Sequence, residues 1–179
     1  MDYQVRVATT ADVGHLPGIE RAAAQQYRPY LSQLGLTQKH LENIVSIDFL
    51  HQAQCQQHLW VAVLPQYGAP VGFVVVEWLA NGFFIVELDV VPDYGRQGIG
   101  SALVNQVLVE ARQQRLAEVT LTTFRYVPWT IPFYRRLGFE IVVPAQYTPD
   151  IRAIVNHEER HGFNRQVRVV MQCQILPKT

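Results

Sequence analysis

A chain of 179 residues, 49% apolar and 17% charged, describes a globular protein with room for a sizeable core rather than a disordered one. Its 15 basic and 15 acidic residues cancel, which removes the electrostatic footing for non-specific binding to DNA, RNA or an anionic membrane. The stretch Met1–Arg6 has no apolar signal core, no run approaches the ~20 apolar residues of a membrane span, and Cys55 and Cys173 fit no metal or redox spacing. A cytoplasmic protein with reduced thiols is expected. No repeat, low-complexity tract or linker divides the chain, so one domain over residues 1–179 is expected.

Taken in chain order, Tyr3 to Ala8 alternates as a first strand, and Thr9, Thr10 and Asp12 are N-cap types for a helix reaching about Tyr27. Pro17 falls inside that helix and predicts a division into two shorter pieces. Thr37 caps a second helix in which Leu41, Ile44, Val45 and Phe49 recur at helical spacing. His58 to Val63 and Val71 to Trp78 are β-rich runs joined by the turn segment Pro65–Pro70, and Asn81-Gly82 is a hairpin signal leading into Phe83 to Val91. A helix follows from Gly98 to about Arg115 with Ile99, Leu103, Val107 and Ala111 on one face, and Val119 to Phe124 returns as a strand. A short helix, Pro132 to Leu137, stops at Gly138, a fitting C′ residue. Phe139 to Val143 and Val167 to Leu176 close the sheet around a helix opening at Pro149. The expected fold class is α/β (α+β): a mixed, mostly antiparallel sheet flanked by helices, with a parallel strand–helix–strand unit around residues 83–124.

The stretch Leu88 to Leu103 carries most of the chemical information. A strand runs into a Gly-containing loop that opens directly into an amphipathic helix, which makes an anion cradle. Glycines admit close backbone approach, and the unpaired N–H groups of the first helical turn point at the anion. The dinucleotide fingerprint is absent, because Leu103 stands where its third Gly would be, and no Gly-Lys-Ser/Thr follows to make a P-loop.

The segment Val90-Val91-Pro92-Asp93-Tyr94-Gly95-Arg96-Gln97-Gly98-Ile99-Gly100 resembles the acyl-CoA pyrophosphate loop of the GNAT superfamily, Arg/Gln-x-x-Gly-x-Gly/Ala. Downstream, Phe133-Tyr134-Arg135-Arg136-Leu137-Gly138-Phe139 resembles the superfamily's helix ending in Leu-Gly-Phe. Val127-Pro128-Trp129 before Pro132-Phe133-Tyr134 resembles one bacterial subgroup of it. The resemblance implies acetyl-CoA as co-substrate and transfer of its acetyl group to a primary amine. It further implies pantetheine pairing and thioester polarisation by backbone groups at Val90 and Val91, and pyrophosphate contacts from Gln97, Gly98, Ile99, Gly100 and Ser101. Tyr134 matches the tyrosine that protonates the departing thiolate. Two positions depart from the pattern: Gly95 replaces the usual Arg or Gln, leaving Arg96 as the neighbouring cation, and Val127 replaces an Asn common in relatives.

The amine must be neutral to attack, and an alkylamine has a pKa of about 10.4, so a carboxylate base is expected, directly or through water. Glu87 and Asp89 share one face of their strand, opposite Leu88 and Val90, with Glu77 a third candidate. Trp78, Phe83, Tyr126 and Trp129 are candidate walls for the acceptor. The acceptor itself, a small-molecule amine or a peptide or protein amine, is not fixed by these residues, nor is the choice between monomer and homodimer.

Two readings compete. His157-Glu158-Glu159-Arg160-His161 fits the His-Glu-x-x-His pattern of zinc hydrolases, but no His, Asp or Glu follows His161 to serve as third ligand. No metal is therefore expected. The other reading keeps the fold as a catalytically silent acyl-CoA sensor, against which Tyr134 and the strand carboxylates argue.

Overall fold

The computed structural model describes residues 2–66 and 68–175. Seven strands form one sheet: β1 (Gln4–Val7), β2 (Leu59–Val63), β3 (Pro70–Leu79), β4 (Gly82–Val90), β5 (Glu118–Phe124), β6 (Glu140–Val142) and β7 (Arg168–Gln174). Their order across the sheet is β1-β2-β3-β4-β5-β7-β6, and every neighbouring pair is antiparallel except β4 and β5. The parallel unit expected around residues 83–124 is this pair, joined through α6 (Ile99–Gln113). Of the last predicted strand, Leu176 lies outside the described residues, as does Tyr67 of the turn before β3.

Helices cover both faces. On one face, Ile99, Leu103, Val104, Val107, Leu108 and Ala111 of α6 recur at helical spacing and bury against Trp60, Ala62, Val74, Val76, Phe83 and Ile85. The other face carries α1 (Thr10–Val13), α2 (Leu16–Ala24) and, after α3 (Leu31–Leu34) and α4 (Gln38–Glu42), α5 (Ile47–Cys55). There Val13, Leu16, Ile19, Leu50 and Ala53 meet Leu59, Val61, Val63, Phe73 and Val75. Strand β2 is buried on both sides, which is why it reads as an unbroken apolar run. Two further α-helices follow among the described residues, α7 (Thr130–Arg136) before β6 and α8 (Pro149–Arg160) between β6 and β7. Thr148 caps α8 by accepting from the Ile151 amide at 3.3 Å.

The division expected from Pro17 is observed: α1 ends at Val13, α2 begins at Leu16, and Pro17 sits in the opening turn of α2. Two local differences from the sequence reading have physical causes. The helix expected over Leu41 to Phe49 is two, α4 and α5, because Asn43 turns extended (φ −80°, ψ 111°) and Ser46 recaps by accepting from Phe49 N–H at 3.2 Å. Gly82 is a strand residue paired with Leu79, so the β3–β4 turn is Ala80-Asn81. Its glycine serves close approach instead: a Cβ there would lie 1.8 Å from the Glu118 carbonyl oxygen.

Candidate active site

Strand β4 positions the site through one irregularity. Val75 pairs with Glu87 but the next residue, Val76, pairs with Ile85, so Val86 is an extra, bulged residue. Before the bulge, Phe83 and Ile85 face α6, and beyond it Leu88 and Val90 do. Unbroken alternation would have sent Glu87 and Asp89 into that apolar core. The bulge turns them to the opposite face, beside α2.

The bulge also marks where the sheet opens. Strands β4 and β5 pair from Gly82–Glu118 to Ile85–Leu121, and no residue of β4 beyond Ile85 pairs with β5. Val91 is fully engaged, its N–H donating to Val71 O at 2.9 Å and its carbonyl accepting from Tyr94 N–H at 2.9 Å. The Val91 N–H expected to meet the pantetheine arm is thus already used within the sheet. Alternation along an antiparallel edge then turns the N–H and C=O of Val90 and Leu88 toward the opening.

After a 3₁₀ turn over Pro92–Tyr94 the chain reaches the loop, where Arg96 (φ 57°) and Gly98 (φ 87°) are both left-handed. Such turns aim successive N–H groups into one concavity. At Gly98 a side chain would be strained, and its Cβ would sit 3.3 Å from the Tyr3 hydroxyl. Gly98 N-caps α6 without a side-chain bond, and its carbonyl takes the first helical bond, from Ala102 N–H at 2.9 Å. The amides of Ile99, Gly100 and Ser101 have no acceptor four residues back, so they face the end of a fifteen-residue helix as donors. Gln97 is exposed and its side chain touches Asp93 O at 3.4 Å.

Beside the opening lies a cavity of about 180 Å³ lined by Glu20, Tyr27, Glu87, Asp89, Tyr134 and Arg168, among others. Glu87 and Asp89 are thus brought together with Tyr134. Three residues were missed. Glu20 comes from α2, with a carboxylate oxygen within 4.8 Å of those of Glu87 and Asp89. The helix break at Asn43 holds it, because the freed Val45 amide donates to both Glu20 oxygens at 2.9 and 3.2 Å. A signal existed: Glu20 falls on the apolar stripe of Leu16, Ile19 and Ala23, where a charged side chain is out of pattern. Tyr27 follows on the same face, its ring 5.2 Å from that of Phe124. Arg168 enters from β7, and a strand residue in an apolar run offers no such signal.

Burial dominates the electrostatics. It raises Glu87 to about 7, with the Glu158 charge adding and the Leu88 amide and Arg168 opposing. It raises Glu20 to about 8, the Glu87 charge adding and the Val45 amide opposing. Asp89, 9% exposed, is pushed well above the carboxylate range by burial and by Glu87 and Glu20. Its Oδ2 is the one buried side-chain oxygen or nitrogen without a hydrogen-bond partner among the described residues. Burial also lifts the Tyr134 phenol above its ordinary value, with Tyr27, Glu87 and Asp89 contributing. A phenol so placed keeps its proton at neutral pH.

The remaining candidates lie elsewhere. Glu77 is exposed and lines a separate groove with His157 and Ile154. Phe83 is buried beneath α6, Trp78 donates to His58 Nε2 at 2.9 Å, and Tyr126 is 49% exposed. Trp129 packs on Tyr27 and Tyr30 rather than on the cavity. The aromatic walls are instead Tyr27, Phe124, Tyr134 and Phe163. In the His-Glu-x-x-His segment, Glu158 is bound by Arg168 at 2.6 and 3.1 Å and also accepts from the Thr122 hydroxyl. His161 lies past the last turn, its Nδ1 bonded to His157 O at 2.8 Å. Glu158 is thus an ion-pair partner, not a free base.

The strand order, the bulged and splayed β4 and the loop opening into α6 define an acetyltransferase fold. The model of the acetyltransferase (GNAT) domain matches residues 55–141, from the end of α5 through β6. Over that segment, just under half of the chain, the sequence is similar to the GNAT acetyltransferases. An uncharacterized N-acetyltransferase of Methanocaldococcus jannaschii is 38% identical over 80 residues, covering 41% of this chain and 35% of that protein. The match thus spans about a third of the curated relative's length. Among solved structures, the PaiA N-acetyltransferase of Thermoplasma acidophilum in complex with coenzyme A superposes with a TM-score of 0.73 at 15% identity, over 97% of this chain and 99% of that one. The ribosomal-protein alanine N-acetyltransferase of Escherichia coli gives 0.67 at 16% identity, over 99% and 97%. At such identities these two matches speak to the fold. No helix among the described residues is long and apolar enough to cross a membrane.

Proposed function

We propose that the protein is an acyl-CoA-dependent N-acyltransferase that moves an acetyl group from acetyl-CoA to a primary amine by direct attack. One observation carries the reading. The unpaired edge of β4, continuous with the open amides of α6, lies against a cavity holding buried carboxylates and a protonated phenol. That arrangement supports reading it as an anion-and-pantetheine surface within reach of a base and an acid.

In this reading the backbone of Val90 pairs with the pantetheine arm, and Gly98, Ile99, Gly100 and Ser101 present amides to the pyrophosphate, with Gln97 and Arg96 at the rim. An N–H on the open edge polarises the thioester carbonyl. Glu87 or Asp89 takes the amine proton, directly or through water, and a folded-state value near 7 suits a base working at neutral pH. Tyr134 protonates the thiolate. The acceptor is a small-molecule amine or a peptide or protein amine, and the N-acetyltransferases of like fold support this class.

Two measurements test it. Acetyl-CoA should raise the melting temperature by an amount set by its concentration over Kd, and no shift at millimolar concentration sinks the reading. Adding a suitable primary amine should then release free CoA, whereas binding without release across an amine panel would leave only a sensor.

A further inference from the structure

The mechanism uses Glu87 and Asp89 and leaves Glu20 unexplained. A carboxylate on the buried stripe of α2, held by a main-chain amide and facing two more carboxylates, is costly unless it has a purpose. We infer that Glu20, Glu87 and Asp89 form one binding site for a primary ammonium, so that the acceptor arrives protonated and surrenders its proton to the three carboxylates together. The inference rests on the acyltransferase reading for the identity of the acceptor, and on geometry for the site.

A primary ammonium carries three N–H donors in tetrahedral array, and acceptors at hydrogen-bond distance along those directions lie about 4.7 Å apart. The three carboxylates each offer an oxygen, and these oxygens lie within 4.8 Å of one another. The buried Asp89 Oδ2 has no partner, a lone pair waiting for a donor. The cation closest by, Arg168, is occupied by Glu158 and Thr122. The other titratable or charged groups around the cluster are Tyr27 after α2, His40 on α4 and Tyr134 on α7, with Arg21 next to Glu20 in sequence. None of these supplies a hydrogen bond to the unpartnered oxygen. A hard divalent ion fits less well, since it takes six or more oxygens and the cluster gathers three carboxylates.

The proton ledger closes. Of the three ammonium protons, one passes to the cluster and on to solvent, leaving the neutral amine. As its nitrogen bonds to the acyl carbon and the carbon–sulfur bond breaks, Tyr134 gives its proton to the sulfur and is recharged by the second. The third stays on the amide nitrogen.

The test needs no acetyl-CoA, so it fails or succeeds separately from the acyltransferase reading. The protein is titrated with butylammonium chloride, with tetramethylammonium chloride (equal charge, no N–H) and with magnesium chloride at matched ionic strength, and melting is followed at pH 8. Butylammonium alone should stabilise the native chain, with an apparent affinity about tenfold weaker or worse in Glu20→Gln. Gln keeps an oxygen for the Val45 amide, and Asp89→Asn, remote from Val45, provides a second variant expected to behave alike. No response to butylammonium, an equal response to tetramethylammonium, an undiminished response in both variants, or stabilisation by magnesium alone would each overturn the inference.

Discussion

The two sides of the opened sheet are built from different materials. Toward α6 the donors are main-chain amides at Ile99, Gly100 and Ser101 and along the free edge of β4, fixed by helix geometry and by one strand's departure from another. Toward α2 the groups are side chains gathered from four separate elements: Glu20, Glu87, Asp89, Tyr134 and Arg168. Main-chain donors carry no pKa to tune, and they suit a ligand that is always the same anion. Side-chain carboxylates pressed together titrate near neutrality, and they suit the one step that moves protons. The single bulge at Val86 separates the two roles, since it turns Glu87 and Asp89 away from the face where Leu88 and Val90 remain.

That division can be broken by substitution. The largest effect is expected from Tyr134→Phe, which should slow CoA release about 10²–10⁴-fold while leaving thermal protection by acetyl-CoA intact. An equal loss of protection would mean that the tyrosine belongs to the binding side. Glu87→Gln should slow release about 10²-fold and flatten the pH–rate profile. Gly98→Ala should do the reverse, weakening acetyl-CoA binding about tenfold through strain at φ 87° and leaving the profile's shape unchanged. Pre-steady-state rates and equilibrium titration separate the two outcomes.

The loop was legible in the sequence because a main-chain site is written locally. Glycines, a Pro that ends a strand and an apolar helical stripe stand within a dozen residues of one another, and spacing alone places them. Tyr134 was legible for the same reason, through the Leu-Gly-Phe that follows it. The acid face was only half legible. Glu87 and Asp89 could be paired by alternation, but the bulge that delivers them to α2 leaves no mark in the sequence. Glu20 needed the fold, although its place on the apolar stripe of α2 was a visible anomaly. The break between α4 and α5 was hidden because helical spacing continues through it, while the Val45 amide is drawn to Glu20 by a tertiary contact. Likewise, β7 inserts between β5 and β6, an order that no local pattern dictates.

Smaller effects sharpen the electrostatic side. Glu20 and Glu87 have folded values of about 8 and about 7, raised above an ordinary 4.5. Groups raised in this direction contribute stability below pH 4.5 that is lost as pH rises through 7 and 8. The melting temperature should therefore decline over that window, and Asp89→Asn should reduce the decline by removing a like charge. A melting temperature that climbs across the window instead would show that these carboxylates are not buried together. At the far end of β4, Gly82→Ala should destabilise by about 1–3 kcal/mol in chemical denaturation, because its Cβ would overlap the Glu118 carbonyl.

The central claim is chemical, that this opened sheet transfers an acyl group to nitrogen. It is tested most directly by mixing the protein with acetyl-CoA and a panel of primary amines, and quantifying free CoA thiol together with acetylated amine by mass. Equal amounts of thiol and N-acetyl product, falling together as pH drops below about 7, are the expected result. Acetyl-CoA bound yet unconsumed across the panel, or thiol released with no acetylated amine, would contradict it.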